Sequence, residues 1–242
     1  MLRWLKELDE LLRGNRTTPE LLSAGTRHLK IGPHAAALVA LGIVYGLCMG
    51  LFSVLSRTPP VYQQLASSAV KVPLLFFVTL IVTFPSLYVF STLLGTKLGP
   101  LDFLRIIMAA VAINLAVLAS FAPITAFFTL TTTSYDFMKL LNIFFFVVSG
   151  AVGLGILMRI LRRLEQAQDI AALEGVKPRQ DPKARRLSKV WLILYVLVEI
   201  QAAWVLRPFI GGPDQPFAWF KERGGSAFLD FSQTLGRFLG GK

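Results

Sequence analysis

Five apolar stretches, each about as long as a bilayer is thick, constrain this chain more than any other feature. They run from about Ala35 to Leu55, Val72 to Leu94, Phe103 to Phe128, Leu140 to Leu161 and Val190 to Phe209. A hydrocarbon core of about 30 Å is crossed by about 20 helical residues rising about 1.5 Å each. Lipid offers no partner to an open N–H or C=O, so such stretches must cross as helices. The fold class that follows is all-α: an integral membrane bundle of five transmembrane helices with short amphipathic helices at both termini. Only 16% of the residues are charged, against about a quarter in soluble domains, and they lie mostly between the apolar runs.

Those charges orient the bundle. If the spans alternate, residues 1–34, the link between spans two and three, and the stretch 159–189 share one side and carry 17 of the 25 Lys and Arg. Basic loops stay in the cytoplasm, so the N-terminus is expected inside and the C-terminus outside, across a bacterial cytoplasmic membrane. The net charge of +11 is then a topology signal and not a nucleic-acid footprint. The chain divides into a cytoplasmic segment 1–34, a five-span domain 35–209 with a basic loop at 162–189, and an aromatic outside tail 210–242. The start, MLRWLKELDELLRG, is too charged for the apolar region of a secretory signal, so span one reads as an uncleaved signal anchor.

Around the spans, shorter patterns stand out. Leu5, Leu8, Leu11 and Leu12 share a helical face near the N-terminus, to be covered either by the membrane surface or by the protein's own loops. Thr17 and Glu20 fit a capping box ahead of a second short helix, with Pro19 in its first turn. Gly32-Pro33 is expected to break the chain before span one. Span four is expected to run on as a cationic helix, then give way to an irregular loop, GVKPRQDPKARRLSK. Arg159, Arg162, Arg163, Arg185 and Arg186 are candidates for anionic lipid headgroups. Arg207, Trp204 and Trp219 suit the outer interface, and Phe228, Phe231, Leu235 and Phe238 fall at helical spacing in the tail, as an amphipathic helix either on the outer leaflet or docked on a partner.

Within the spans, Gly42, Gly46 and Gly50 are four apart, which lets another helix approach closely. That helix belongs either to this chain or to another protomer. Intramembrane polar candidates are Asn114, Asn142, Glu199 and Gln201. Glu199 is the only acid inside an apolar stretch, and a charge at mid-bilayer costs about 2.5–3.5 kcal/mol on insertion scales. It must be protonated, paired or hydrated, with Asn114 and Tyr195 as candidate partners. Three roles stay open for it: a neutral acid bonding helices together, a contact to another subunit, or a coupling group in a small transporter or lipid-handling protein.

No catalytic pattern emerges. GRFLGGK at 236–242 matches a GxxxxGK string but lacks the following Ser or Thr, and no GxSxG or HExxH is present. With two histidines and the single Cys48, neither a metal site, a cofactor nor a disulfide is expected, and the chain is expected not to be an enzyme. The expected partners are the lipid bilayer and a membrane protein or second copy.

Spans two and three are joined by a small-residue link, Gly95-Thr96-Lys97-Leu98-Gly99, and the third ends near Pro123. This stretch of about 55 residues resembles the middle of Yip1-like membrane proteins. The resemblance implies a cytoplasmic N-terminus, five spans, an outside or lumenal C-terminus, and a part in membrane organisation or trafficking. The WVLRPFIGGPDQPF stretch is similar to a segment of uncharacterised bacterial multi-pass proteins. Together these features predict a scaffold or subunit of a membrane assembly.

Overall fold

The computed structural model describes residues 3–23, 25–56, 58–93, 99–172, 182–212, 216–220 and 226–240, with backbone only at 3, 23, 87, 90–93, 164–172 and 182–192. Among them every regular element is helical: α1 (Arg3–Leu12), α2 (Pro19–Ser23), α3 (Ile31–Leu55), α4 (Tyr62–Leu93), α5 (Pro100–Ser120), α6 (Ala122–Thr131), α7 (Tyr135–Ala172), α8 (Pro182–Leu206) and α9 (Ala227–Gly240). Four stretches are long and apolar enough to cross a membrane: Ile31–Leu55, Tyr62–Ser86, Pro100–Thr131 and Tyr135–Arg163. Such helices mark an integral membrane protein. In α8 the described apolar part, Ile193–Leu206, is shorter.

The helices outrun the apolar runs wherever a polar end can still satisfy its backbone. Gly32-Pro33 does not break the chain, because α3 starts at Ile31 and Pro33 sits in a first turn whose N–H groups have no intrahelical partner. Pro182 likewise opens α8, so 182–189 is helical and not irregular. Residues 173–181, like the link 94–98, lie outside the described ones. Span two starts at Tyr62, ten positions ahead of the apolar run, which brings Gln64, Ser68 and Lys71 into the helix. The third run is two helices. Phe121 interrupts it, with its N–H on the Leu118 carbonyl, because Pro123 cannot donate to the turn before it and its ring crowds that turn.

Contacts gather the chain into two compact units. The first comprises Met1–Leu38, Leu80–Asn114 and Gly150–Val196. Within it every residue of α5 from Ile106 to Asn114 is buried, as an all-round apolar helix requires. Leu8 and Leu11 of α1 are buried in the protein, so the chain itself covers that face, while Leu12 stays half exposed. Glu7 of α1, itself buried, ties the segment down through Arg16 at 3.2 Å and Lys30 at 3.5 Å. The Thr17 hydroxyl donates to the Gly14 carbonyl and accepts from Arg163, 3.1 Å away.

The second unit comprises Val39–Thr79, Leu115–Ser149 and Leu197–Lys242. There α3 and α4 pack almost backbone to backbone along the glycine stripe. A methyl group built on Gly46 would lie 2.4 Å from the Ser68 carbonyl oxygen, and one on Gly50 2.8 Å from Leu65 Cα. Pro73 fills the space over Gly42. The helix admitted by these glycines therefore belongs to the same chain.

Candidate functional site

Polar groups inside the second unit form two nodes. In the first, the Tyr45 hydroxyl on α3 donates to Asn142 Oδ1 on α7 at 2.7 Å, and Asn142 Nδ2 donates to the Met138 carbonyl at 2.8 Å. Both side chains are buried, with Phe146 edge-on to Tyr45 at 5.7 Å. The Tyr45 bond joins α3 to α7, while the bond to Met138 stays within α7 and fixes the Asn142 amide.

The second node has no counterpart in the sequence analysis. The N-terminal turns of α4 clasp the chain that leaves α8. Gln64 Nε2 donates to the carbonyls of Pro208 (3.1 Å) and Phe209 (2.9 Å), and Ser68 also bonds the Phe209 carbonyl. Lys71, only 1% exposed, donates to the Pro208 carbonyl at 2.9 Å and to that of Trp219, with the Phe220 ring 5.4 Å from its Nζ. Gly211, at φ +75°, lies against Gln64, where a side chain would meet its Cγ at 2.9 Å. A buried ammonium needs acceptors around it, and these carbonyls with the aromatic face provide them. Asp214 and Glu222, nearby in sequence, lie outside the described residues.

In the first unit, Asn114 and Tyr195 line one small cavity of about 20 Å³ with Ile107, Val111, Gly153 and Leu157. Asn114 Oδ1 is buried without a partner, and the space suits one water molecule. Gly153 brings α7 within reach of α5, since a Cβ there would be 2.7 Å from that of Asn114.

Glu199 belongs to the second unit and is half-buried on α8; within that unit no described residue donates to its carboxylate. Gln201 is exposed. Arg207 stacks its guanidinium 3.2 Å over the Trp204 ring, and Trp219 is 51% exposed while its carbonyl holds Lys71. Arg159 and Arg162 are exposed, Arg163 is spent on the Thr17 carbonyl at 2.9 Å, and the side chains of Arg185 and Arg186 lie outside the described ones. No cluster of His, Cys, Asp and Glu able to hold a metal occurs among the described residues. Another crevice, about 300 Å³, is open and lined by Leu55, Ser56 and residues 129–133, of which Thr129 and Thr131 bond their own helix.

Compared with family models, curated proteins and solved structures, the chain matches none.

Proposed function

We propose that this chain is a five-span, non-catalytic membrane protein, N-terminus in the cytoplasm and C-terminus outside, that works as a scaffold or subunit of a membrane assembly. The α8 helix supports a fifth crossing: its 25 residues extend about 37 Å at about 1.5 Å per residue. The observation that carries the assembly reading is Gln201. It is exposed on α8, one turn from Leu197 (45% exposed) and Val205 (47% exposed) on the same face. An amide facing lipid has no partner, and membrane helices satisfy such groups by bonding across to another helix. Glu199, half-buried two positions earlier, adds a second group that a neighbouring helix can bond. The likeness to Yip1-like proteins points the same way, towards membrane organisation.

The test is the protein mass of the purified particle in mild detergent, by light scattering. The expected mass exceeds the 26.7 kDa of one chain and returns to it in Gln201→Leu. A one-chain mass for the unaltered protein overturns the proposal. The transporter reading rests on the carboxylate of Glu199 having no described donor in its unit. It requires proton-coupled flux in liposomes that disappears in Glu199→Gln.

A further inference from the structure

Among the described residues, the polar contacts of the last helix with the rest of the chain lie along one edge. Asp230 and Thr234 of α9 receive Lys139 at 2.5 and 2.9 Å, and Arg237 forms a paired bond to Asp136 with both distances 3.0 Å. The Asp136 carboxylate, hydrogen-bonded to it, raises the Arg237 guanidinium above its ordinary value. Asp136 and Lys139 lie in the first turns of α7, where a helix long enough to cross a membrane begins. Both charges of α9 are thus used on α7, and Thr234 is its only buried residue.

The rest of the helix divides into two flanks. At about 100° per residue, Phe238, Phe231, Leu235, Phe228 and Leu239 follow one another over an arc of about 100° beside the attached edge. Gln233 and Ser226, the residue before the helix, lie on the opposite flank, which also carries one exposed leucine, Leu229 (56%). The apolar residues are 37–75% exposed. Their flank is continuous with the spanning helices: Phe238 meets Phe137 of α7 at 6.2 Å, and Phe137 meets Phe128 of α6 at 5.1 Å. Beside Phe128, Phe127 (58%) and Leu130 (74%) of α6 are themselves exposed. A surface that runs unbroken from the flank of a membrane-crossing helix onto α9 faces the solvent those helices face, which is lipid.

We propose that α9 lies in the headgroup–acyl boundary of the leaflet where α6 ends and α7 begins, with its phenylalanine flank in phospholipid. The two ion pairs set its depth by fixing it to the first turns of α7, and Gln233 and Ser226 face water. Interfacial helices sink their apolar face about 5–10 Å below the headgroups. The inference rests on α6 and α7 crossing the membrane but not on the assembly reading, whose test is a particle mass.

Nitroxide accessibility in the full chain tests it. In a Cys48→Ala background, single cysteines are placed by Phe231→Cys, Leu235→Cys, Leu239→Cys and Gln233→Cys and spin-labelled. The protein is reconstituted in phosphatidylcholine vesicles and probed with oxygen, which concentrates in lipid, and with a water-soluble nickel chelate. The expected result is a ratio favouring oxygen at 231, 235 and 239 and favouring nickel at 233. Nickel dominance at all four positions overturns the proposal, since α9 is then in water. Exclusion of both reagents at 231, 235 and 239 overturns it too, because a protein surface or a second copy then covers the flank. All four positions are exposed, so the labels leave packing undisturbed.

Discussion

Gly46→Ala should destabilise the protein, although alanine is the better helix former. The added methyl would lie 2.4 Å from the Ser68 carbonyl oxygen, 2.8 Å from Ala69 Cα and 2.9 Å from the Ser68 carbonyl carbon. All three are backbone atoms, so no side chain can swing aside. Ordinary contact begins near 3.4 Å, which requires α4 to retreat by about 1 Å. A gap of that size forfeits up to about half the dispersion energy of each neighbouring contact. Overpacking of this kind costs about 3 kcal/mol at the upper end, and the gain of about 1 kcal/mol in helix propensity leaves about 2 kcal/mol of destabilisation. Gly150→Ala is the control, because nothing lies within 4 Å of a methyl there and only the propensity gain applies. Thermal unfolding in one detergent should lower the Gly46→Ala midpoint by about 4–8 °C, at about 2–4 °C per kcal/mol for a chain of this size, and leave Gly150→Ala unchanged or higher. A Gly46→Ala midpoint at or above that of the parent, or an equal drop in Gly150→Ala, refutes the backbone contact between α3 and α4.

Three further outcomes follow from the polar contacts. Tyr45→Phe and Asn142→Leu should be coupled in a double-mutant cycle by about 0.6–1.7 kcal/mol, the range for bonds between membrane helices, and additive losses in unfolding free energy would count against the bond. Lys71→Met removes two charge-assisted bonds, worth about 1.5–3 kcal/mol each. Hydrogen exchange at 207–212 and 216–220 should then rise by about tenfold or more, whereas unchanged protection means the clasp does not hold this segment. Arg163→Gln should speed exchange in α1 and α2, because its guanidinium holds the Thr17 carbonyl at 2.9 Å, and leave the amides of α9 unaffected.

What was legible in the sequence, and what was not, follows from where each interaction keeps its information. Long apolar runs report helices because lipid leaves the backbone no alternative, and Pro123 marks the break at Phe121 for the same hydrogen-bonding reason. The polar ends of the helices were missed because hydropathy reports a span and not the turns beyond it, so Lys71, just outside the apolar run that begins at Val72, lies inside α4. The clasp could not be read at all. The partners of Lys71 are carbonyls 137 and 148 positions away, and a carbonyl belongs to every residue, so no side-chain pattern marks the acceptor. The two faces spaced for burial near the termini show the same limit from the other side. Leucine spacing in α1 established that a face would be covered, but the cover was decided by Glu7 pairing with Arg16 and Lys30, which turns Leu8 and Leu11 into the protein. In α9 the equivalent pairs, Lys139 with Asp230 and Asp136 with Arg237, take the polar edge instead and leave the phenylalanines outside. Two helices with similar spacing thus reach opposite ends because ion pairs bind different edges of them. Charge placement, more than apolar periodicity, therefore sorts a surface helix between the protein's own core and the lipid.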